Sequence, residues 1–362
     1  MIVGAGLIGM LCARELRQAG LHVTLLERGE PARESSWAGG GILSPLYPWR
    51  YPDAVSELAR WSQAAYPGLC EELRETSGVD PEYSRSGLLV ADGGEHAQAQ
   101  AWAERFGARL ERIDAAAARR QEPALGLAVQ RALWLPDVGQ VRNPRIARAL
   151  HISLQRAGVE FRTRCEVQRI LVREGRVTGV ETADGPVRAE TVLIAAGAWS
   201  GNLLASTGLT LPVEPVRGQM ILFRGEPGLV RRISLYEGHY VIPRRDGRVL
   251  TGSTLEYVGF DKQTTDEALE ELRAAALQLI PALAGLDMEH HWAGLRPGSP
   301  DGVPFIGPHP RIEGLWVNAG HFRNGVVLGP ASARLLADRL LGRPGELDGL
   351  LYITGKLQEN LC

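Results

Sequence analysis

The chain has 362 residues, 44% apolar and 23% charged, which excludes disorder for the chain as a whole and allows about two domains with a sizeable core. Its 40 basic and 42 acidic residues leave a net charge of −2, so no basic excess points to nucleic acid or an anionic membrane. Of the basic residues only Lys262 and Lys356 are lysines and 38 are arginines, interspersed with Glu and Asp along helical stretches. We read this as compositional bias rather than a binding patch.

The four cysteines, Cys12, Cys70, Cys165 and Cys362, fall at no metal-ligand spacing and are too sparse for a disulfide framework. They fit a reducing, cytoplasmic setting. No apolar run approaches the ~18 residues of a membrane span. The opening Met1 to Ala13 is apolar but has no basic region and carries glycines at a meaningful spacing, so it is not read as a signal peptide.

In chain order, a short apolar strand runs from Met1 into Gly4, with only three residues before the glycine, which is short for its type. A helix is predicted over Met10 to Ala19 and a second strand over Leu21 to Glu27, a βαβ unit that calls for a parallel sheet. Residues 35 to 50 are rich in Gly and Pro and are not expected to form a regular element. Helical patterns cover Ala54 to Ser77, Ala97 to Phe106 and Asp114 to Glu122. Strand candidates are Ser86 to Ala91 and Ala132 to Pro136. A helix over Pro144 to Ala157 is followed by strands Val159 to Thr163 and Val167 to Val172, the latter with a hairpin partner at Val177 to Thr182. Thr191 to Gly197 is a near-continuous apolar strand, as at the centre of a parallel sheet. From Val213 to Thr254 strand follows strand. A helix spans Asp266 to Ile280, a strand Leu315 to Asn318, and a last helix starts at about Pro330 and ends at Leu341. The predicted class is α/β: a discontinuous Rossmann-like nucleotide domain (1–83, 141–213 and 297–362) interleaved with a sheet-rich α+β substrate domain (84–140 and 214–296).

The first chemical signal is Gly4-x-Gly6-x-x-Gly9 with Glu27 eighteen residues later, at the end of the second strand. Glycines allow the tight turn and let backbone approach a pyrophosphate at a helix N-terminus, and the acid can accept from ribose hydroxyls. The alternative is a glycine-rich core turn with an unrelated Glu. The strand before, the helix after and the timely acid favour a dinucleotide site. Arg28 would suit a 2′-phosphate, but Glu27 argues against NADP. Ser35, Ser36 and the Gly39-Gly40-Gly41 run speak for FAD, whose extended shape needs a second stretch of close backbone; a surface loop is the bland reading. Gly320 to Val327, between a strand and the last helix, offers backbone amides and a helix N-terminus to the flavin O2/N1 edge.

Together with Ala195-Ala-Gly-Ala-Trp-Ser200, His239-Tyr-Val-Ile-Pro243, Ala293-Gly-Leu-Arg-Pro-Gly298, Asp301-Gly-Val-Pro-Phe-Ile-Gly307 and Gly320-His-Phe-Arg-Asn-Gly325, these motifs make the chain resemble the D-amino-acid-oxidase family of flavoproteins over nearly its whole length. The resemblance implies FAD and oxidation of glycine and other small amino acids or amines to an imine, with O2 as electron acceptor. It implies supply of the glycine imine for the thiazole of thiamine. It implies a homo-oligomer, a homotetramer among the forms. It places Gly4, Gly6, Leu7, Ile8, Gly9, Glu27, Arg28, Ser35, Ser36, Gly40, Gly41, Ile42, Val167, His321, Phe322, Arg323, Asn324, Gly325, Val326 and Val327 at the cofactor. It places Tyr240, Arg296 and Arg323 at the substrate carboxylate. Each has a bland counterpart: Arg296 as a structural ion-pair residue, Tyr240 as a buried sheet tyrosine, Arg323 as a loop anchor. The setting of Arg296 in Gly-Leu-Arg-Pro-Gly, read as the end of regular structure, favours the functional role.

His239 is sent to the opposite face from Tyr240 by strand alternation and is given no catalytic role. His290 and His291 show no metal pattern, and His22, His96, His151 and His309 are read as surface or edge residues, so no metal site is expected. Relatives that bind flavin covalently carry a cysteine near Arg296 to Ser299; none is present here, so FAD is expected to be held non-covalently. Gly238 stands where some members of the family carry histidine. Two other readings stay open: a D-amino-acid dehydrogenase or sarcosine oxidase, and the flavin domain of a tRNA-modifying enzyme, against which the net charge weighs.

Overall fold

The computed structural model describes residues 1–91 and 94–352. Cys362 and the end of the third predicted nucleotide-domain segment lie outside the described residues.

Three sheets organise these residues. A six-stranded sheet runs in the order Phe305–Pro308, Leu315–Ala319, Val192–Ile194, Ile2–Val3, Thr24–Leu26 and Glu160–Arg162, parallel except for its first strand. The apolar Val192–Ile194 run thus lies centrally, with all three residues buried. Helices Leu7–Gln18, Asp53–Ser77, Asn143–Arg156 and Gly325–Leu340 cover one face through a core that includes Leu7, Leu11, Leu25, Leu58, Leu150 and Leu328. The other face, with Val3, Ile194 and Val317, packs on a three-stranded sheet of Val167–Arg173, Arg176–Thr182 and Gly185–Arg188.

The second large sheet has eight strands: Asp287–Gly298, Glu214–Arg224, Val249–Gly252, His239–Pro243, Ile233–Tyr236, Leu88–Val90, Arg131–Leu135 and Glu111–Asp114. Alternation sorts its two faces. Val241 and Ile221 pack in a core with Leu272 and Ala276 of helix Asp266–Leu279. Tyr240, Ile242 and Met220 pack on the opposite side with Ile42, Leu46 and Tyr47. His239 follows the same rule, its Nε2 3.3 Å from Glu271 of that helix.

Several elements differ from the sequence-based expectation. The first helix starts at Leu7 rather than Met10. Ser35–Ala38 form one helical turn inside the segment expected to be irregular, because the breaking glycines begin only at Gly39; Pro48–Arg50 add a 3₁₀ turn. No sequence pattern marks the strands Glu111–Asp114, Gly185–Arg188, Asp287–Gly298 and Phe305–Pro308. The longest of them is charged and histidine-rich, yet it pairs along its length with Glu214–Arg224. Arg296 therefore sits within a strand, paired with Val216, not where regular structure ends.

The last helix starts at Gly325, with Pro330 inside it. Proline removes the N–H that would bond Val326 O. The Tyr66 hydroxyl instead donates to that carbonyl at 2.5 Å, and Ser62 Oγ accepts from Ala331 N at 3.0 Å. Two side chains of helix Asp53–Ser77 thus satisfy backbone groups that would cost about 1–3 kcal/mol each if left buried and unbonded.

Candidate active site

The six- and eight-stranded sheets meet around a cavity of about 620 Å³. Two of the glycines that open the chain shape it differently from the third. At Gly4, φ is +105° and a Cβ would lie 2.4 Å from Ala195 O, so the turn admits no side chain. A Cβ on Gly9 would lie 2.0 Å from Gly4 O, so the helix presses on the turn there; Gly9 does not line the cavity. Gly6 does, and as the residue before the helix it has no side chain to cap it; only Leu7 N, the first amide, is taken, by Ser36. Unspent amides and the helix dipole make that end a receptor for phosphate.

Glu27 lies at the end of the next strand. Its Oε2 accepts from Ala5 N at 2.9 Å and its Oε1 from Gly29 N at 3.0 Å, which fixes the carboxylate and leaves lone pairs toward the cavity. Arg28 stacks over the Trp199 ring at 3.5 Å and bonds Glu34 at 2.7 Å, closing one wall. Ser36 Oγ accepts from Leu7 N at 2.8 Å, joining the Ser35–Ala38 turn to the helix start. Leu7, Ile8, Ser35, Gly40, Gly41, Ile42 and Val167 line the same cavity, as do His321, Phe322, Gly325, Val326 and Val327. Asn324 is buried beside them and does not line it. The Asn318 Oδ1, buried in the cavity wall, has no hydrogen-bond partner among the described residues. A helix end with a glycine in place of a capping side chain, two glycine approaches, a fixed acid and an orphaned acceptor fit an extended dinucleotide such as FAD.

Three residues that build this wall were missed from sequence. Asn143 Nδ2 donates to Ser36 O at 3.0 Å, and a Cβ on Gly41 would meet Val141 O at 2.0 Å and Asn143 Oδ1 at 2.6 Å. Asn143 precedes a proline at a helix start and reads as a cap. Arg244 donates to Gly40 O at 2.7 Å, Gln140 Oε1 at 2.9 Å and Val141 O at 3.1 Å, and burial pulls its pKa to about 10. Among 38 arginines, next to an Arg-Asp-Gly turn, nothing marks it. Ser253 is the third.

At the other end of the cavity stand Tyr240, Ser253, Arg296 and Arg323. Tyr240 is 7% exposed, and its ring is hemmed by Gly40 and Gly252, where Cβ atoms would come to 3.2 Å and 3.0 Å. The Arg296 guanidinium lies over Gly218; a Cβ there would come within 2.1 Å of it. It donates to Ser253 Oγ at 2.7 Å, Thr254 O at 3.1 Å and Arg217 O at 3.3 Å. Desolvation pulls its pKa below the ordinary arginine range; Tyr240 opposes this and Arg323 adds to it. Neither Arg296 nor Arg323 has a carboxylate partner among the described residues. Two guanidiniums thus face one cavity, and donors remain for an anion.

His321 is 2% exposed, its Nε2 3.0 Å from Ser332 Oγ, and burial lowers its pKa to about 3. His309, expected at the surface, is 4% exposed because its ring organises a turn. Its Nδ1 accepts from Arg311 N at 3.1 Å and Ile312 N at 3.0 Å, and desolvation lowers its pKa to about 4. Both are neutral when folded and take up a proton near pH 6.5 only when unfolded. The unfolded chain then binds more protons, so each histidine's contribution is intact above pH 6.5 and declines as pH falls toward its folded value, at up to about 1.4 kcal/mol per pH unit. Urea unfolding at pH 6.5 and 5.0 should show His321→Asn losing about 1.6 kcal/mol less than wild type over that interval; an equal loss would mean His321 is accessible to protons. No cluster of three or more His, Cys, Asp and Glu able to hold a metal occurs among the described residues.

Comparison with known proteins agrees with this geometry. The family model described as DAO, FAD dependent oxidoreductase, matches residues 1–339. A glycine oxidase of Pseudomonas aeruginosa is 53% identical over 353 residues, 97% of each chain. A bifunctional protein ThiO/ThiG of Synechocystis is 34% identical over 352 residues, 94% of this chain and 51% of its own. The crystal structure of glycine oxidase from Geobacillus kaustophilus matches with a TM-score of 0.92 at 31% identity, covering 98% of this chain and 97% of that one. The chain belongs to the DAO family of FAD-dependent oxidoreductases.

Proposed function

We propose that this protein oxidises glycine, and other small amino acids or amines, to the imine, which water converts to glyoxylate and ammonia in the case of glycine. The observation that carries the reading is the Arg296 guanidinium, desolvated, without a carboxylate partner among the described residues, in the cavity that begins at the glycine turn. A small substrate carboxylate supplies the missing counter-charge. The glycine oxidases of Pseudomonas and Geobacillus support the choice of substrate.

Gly4, Gly6, Leu7 and Ile8 would hold the FAD pyrophosphate, Glu27 the ribose, Gly40 to Ile42 and His321 to Val327 the flavin end. When bound, FAD supplies the acceptor for the hydride of the substrate Cα and passes the electrons to O2, giving hydrogen peroxide. The side chains do the rest. Arg296 and Tyr240 grip the carboxylate and fix the Cα, a proximity effect of several kcal/mol. Arg323 adds positive potential on the same cavity. That potential disfavours a second cation, so the substrate amine is held in its neutral form, with the lone pair needed to expel the hydride. No dedicated base is required. Steady-state peroxide production with glycine, sarcosine and D-proline side by side tests the reading. Glycine turning over with peroxide is expected; reduction of an artificial acceptor without peroxide would make the protein a dehydrogenase instead.

We propose that FAD is held non-covalently, because Arg296 to Ser299 contain no cysteine and Cys165, the cysteine that lines the cavity, lies at its other end. Acid precipitation should leave the yellow colour in the supernatant; colour retained in the pellet would refute this. We further assign the two large sheets to separate cofactor and substrate domains with the boundaries given above. A cytoplasmic homo-oligomer supplying the imine for the thiamine thiazole is the setting we propose. The ThiO/ThiG protein, twice the length of this chain's match, supports the pathway, and the sparse free thiols support the compartment. No helix among the described residues is long and apolar enough to cross a membrane.

A further inference from the structure

Ser253 lines the cavity beside Arg296, is 5% exposed, and accepts from Arg296 Nη2 at 2.7 Å. A hydroxyl that accepts from a guanidinium turns a lone pair toward the cation and its proton away. No acceptor for that proton is found among the described residues, since the only hydrogen bond at Ser253 Oγ is the one it receives. A hydroxyl carries one donor and two acceptor sites, so a buried serine with an unspent proton facing a cavity is half satisfied.

Its position is rigidly set. Thr254 Oγ1 accepts from Gln219 N at 2.9 Å and donates to Glu256. Glu256 exchanges both backbone bonds with Arg217, at 2.9 Å and 3.0 Å, and its carboxylate is bonded by the buried Arg217 side chain. Arg217 also bonds Asp261 at 2.7 Å. This strap carries the Ser253 hydroxyl and the Thr254 carbonyl, which with the Arg217 carbonyl form the cradle of Arg296.

We propose that Ser253 is a further substrate-binding residue: its hydroxyl, held as acceptor by Arg296, donates its proton to an oxygen of the carboxylate that Arg296 binds. Polarisation by the guanidinium strengthens that donation, and the contact is charge-assisted. It rests on the reading of Arg296 as the carboxylate site, and it adds selection for a carboxylate over a group of the same shape that cannot accept two donors at neighbouring positions.

The test is titration of the FAD-loaded protein with acetate, followed by the flavin absorbance, for wild type, Ser253→Ala, Ser253→Thr and Arg296→Lys. Ser253→Ala should raise the acetate Kd about tenfold, ~1.4 kcal/mol. Ser253→Thr, which keeps the hydroxyl, should stay within about threefold of wild type. If Ser253→Ala binds acetate as wild type does while Arg296→Lys does not, the Ser253 contact is refuted and the carboxylate site stands. If neither variant changes the Kd, the reading of Arg296 fails and Ser253 falls with it. Should Ser253→Ala lose FAD or unfold, Ser253→Thr decides: wild-type affinity supports the donor, and weak binding in a folded, FAD-loaded Thr variant overturns it.

Discussion

Arg296→Lys should abolish amino-acid oxidation while leaving FAD bound. The guanidinium has five N–H donors in a planar fork. In this protein three hydrogen bonds to Arg217 O, Thr254 O and Ser253 Oγ anchor it where it lines the cavity beside Tyr240. A lysine ammonium has three donors on a narrower head and cannot satisfy that cradle and grip a carboxylate at once. Removing one partner of a desolvated charge pair costs about 3–5 kcal/mol. That is a fall of roughly 10²–10³ or more in kcat/KM. The loss should be far smaller for an amine with no carboxylate, which never engages Arg296. Anaerobic flavin reduction by glycine and by a simple amine, in wild type and variant, separates the two. Glycine reducing the variant near the wild-type rate would make Arg296 a structural residue and move the substrate site elsewhere.

What the sequence disclosed and what it concealed divide along physical lines. The βαβ opening was legible because glycine spacing, a two-strand apolar pattern and an acid at a strand end are all local. The sorting of His239 from Tyr240 was legible because strand alternation has a strict period of two. The cradle of Arg296 was not. It is assembled from Arg217, Ser253 and Thr254, on segments that neighbour the strand of Arg296 only through pairing 40 to 80 positions apart along the chain, roughly, and no local pattern encodes such pairing. The Asp287–Gly298 strand was hidden for a related reason: its Glu, His and Trp residues defeat periodicity, and its extended form is imposed by Glu214–Arg224 alongside it. Pro330 misled in the opposite sense. Proline favours a helix start, yet here the helix runs through it, because Tyr66 and Ser62, from another helix, satisfy the groups it disturbs.

The glycine fingerprint itself should separate by substitution into folding and binding roles. A methyl on Gly9 would sit 2.0 Å from Gly4 O, an oxygen fixed in the turn that is held by the Gly4 N bond to Leu26 O at 2.8 Å. No side-chain movement relieves a clash with backbone, so the helix would have to lift off the sheet that its buried Leu7, Met10 and Leu11 pack against. Gly9→Ala should therefore cost more than about 3 kcal/mol, beyond the usual range for overpacking. On the scaling for domains this implies a fall in Tm of roughly 6–12 °C in the FAD-free protein. At Gly6 the same methyl would meet only the Ser36 hydroxyl, at 3.1 Å, while projecting where a phosphate would approach. Gly6→Ala should keep the FAD-free Tm within about 3 °C, and raise the FAD Kd at least tenfold, since a displaced phosphate loses charge-assisted bonds of about 1.5–3 kcal/mol each. Thermal unfolding of both variants without FAD, followed by FAD titration, reads the two roles apart. A Gly9→Ala protein that melts like wild type, or a Gly6→Ala protein that binds FAD with unchanged Kd, would reverse the assignment of fold to the third glycine and of cofactor to the second.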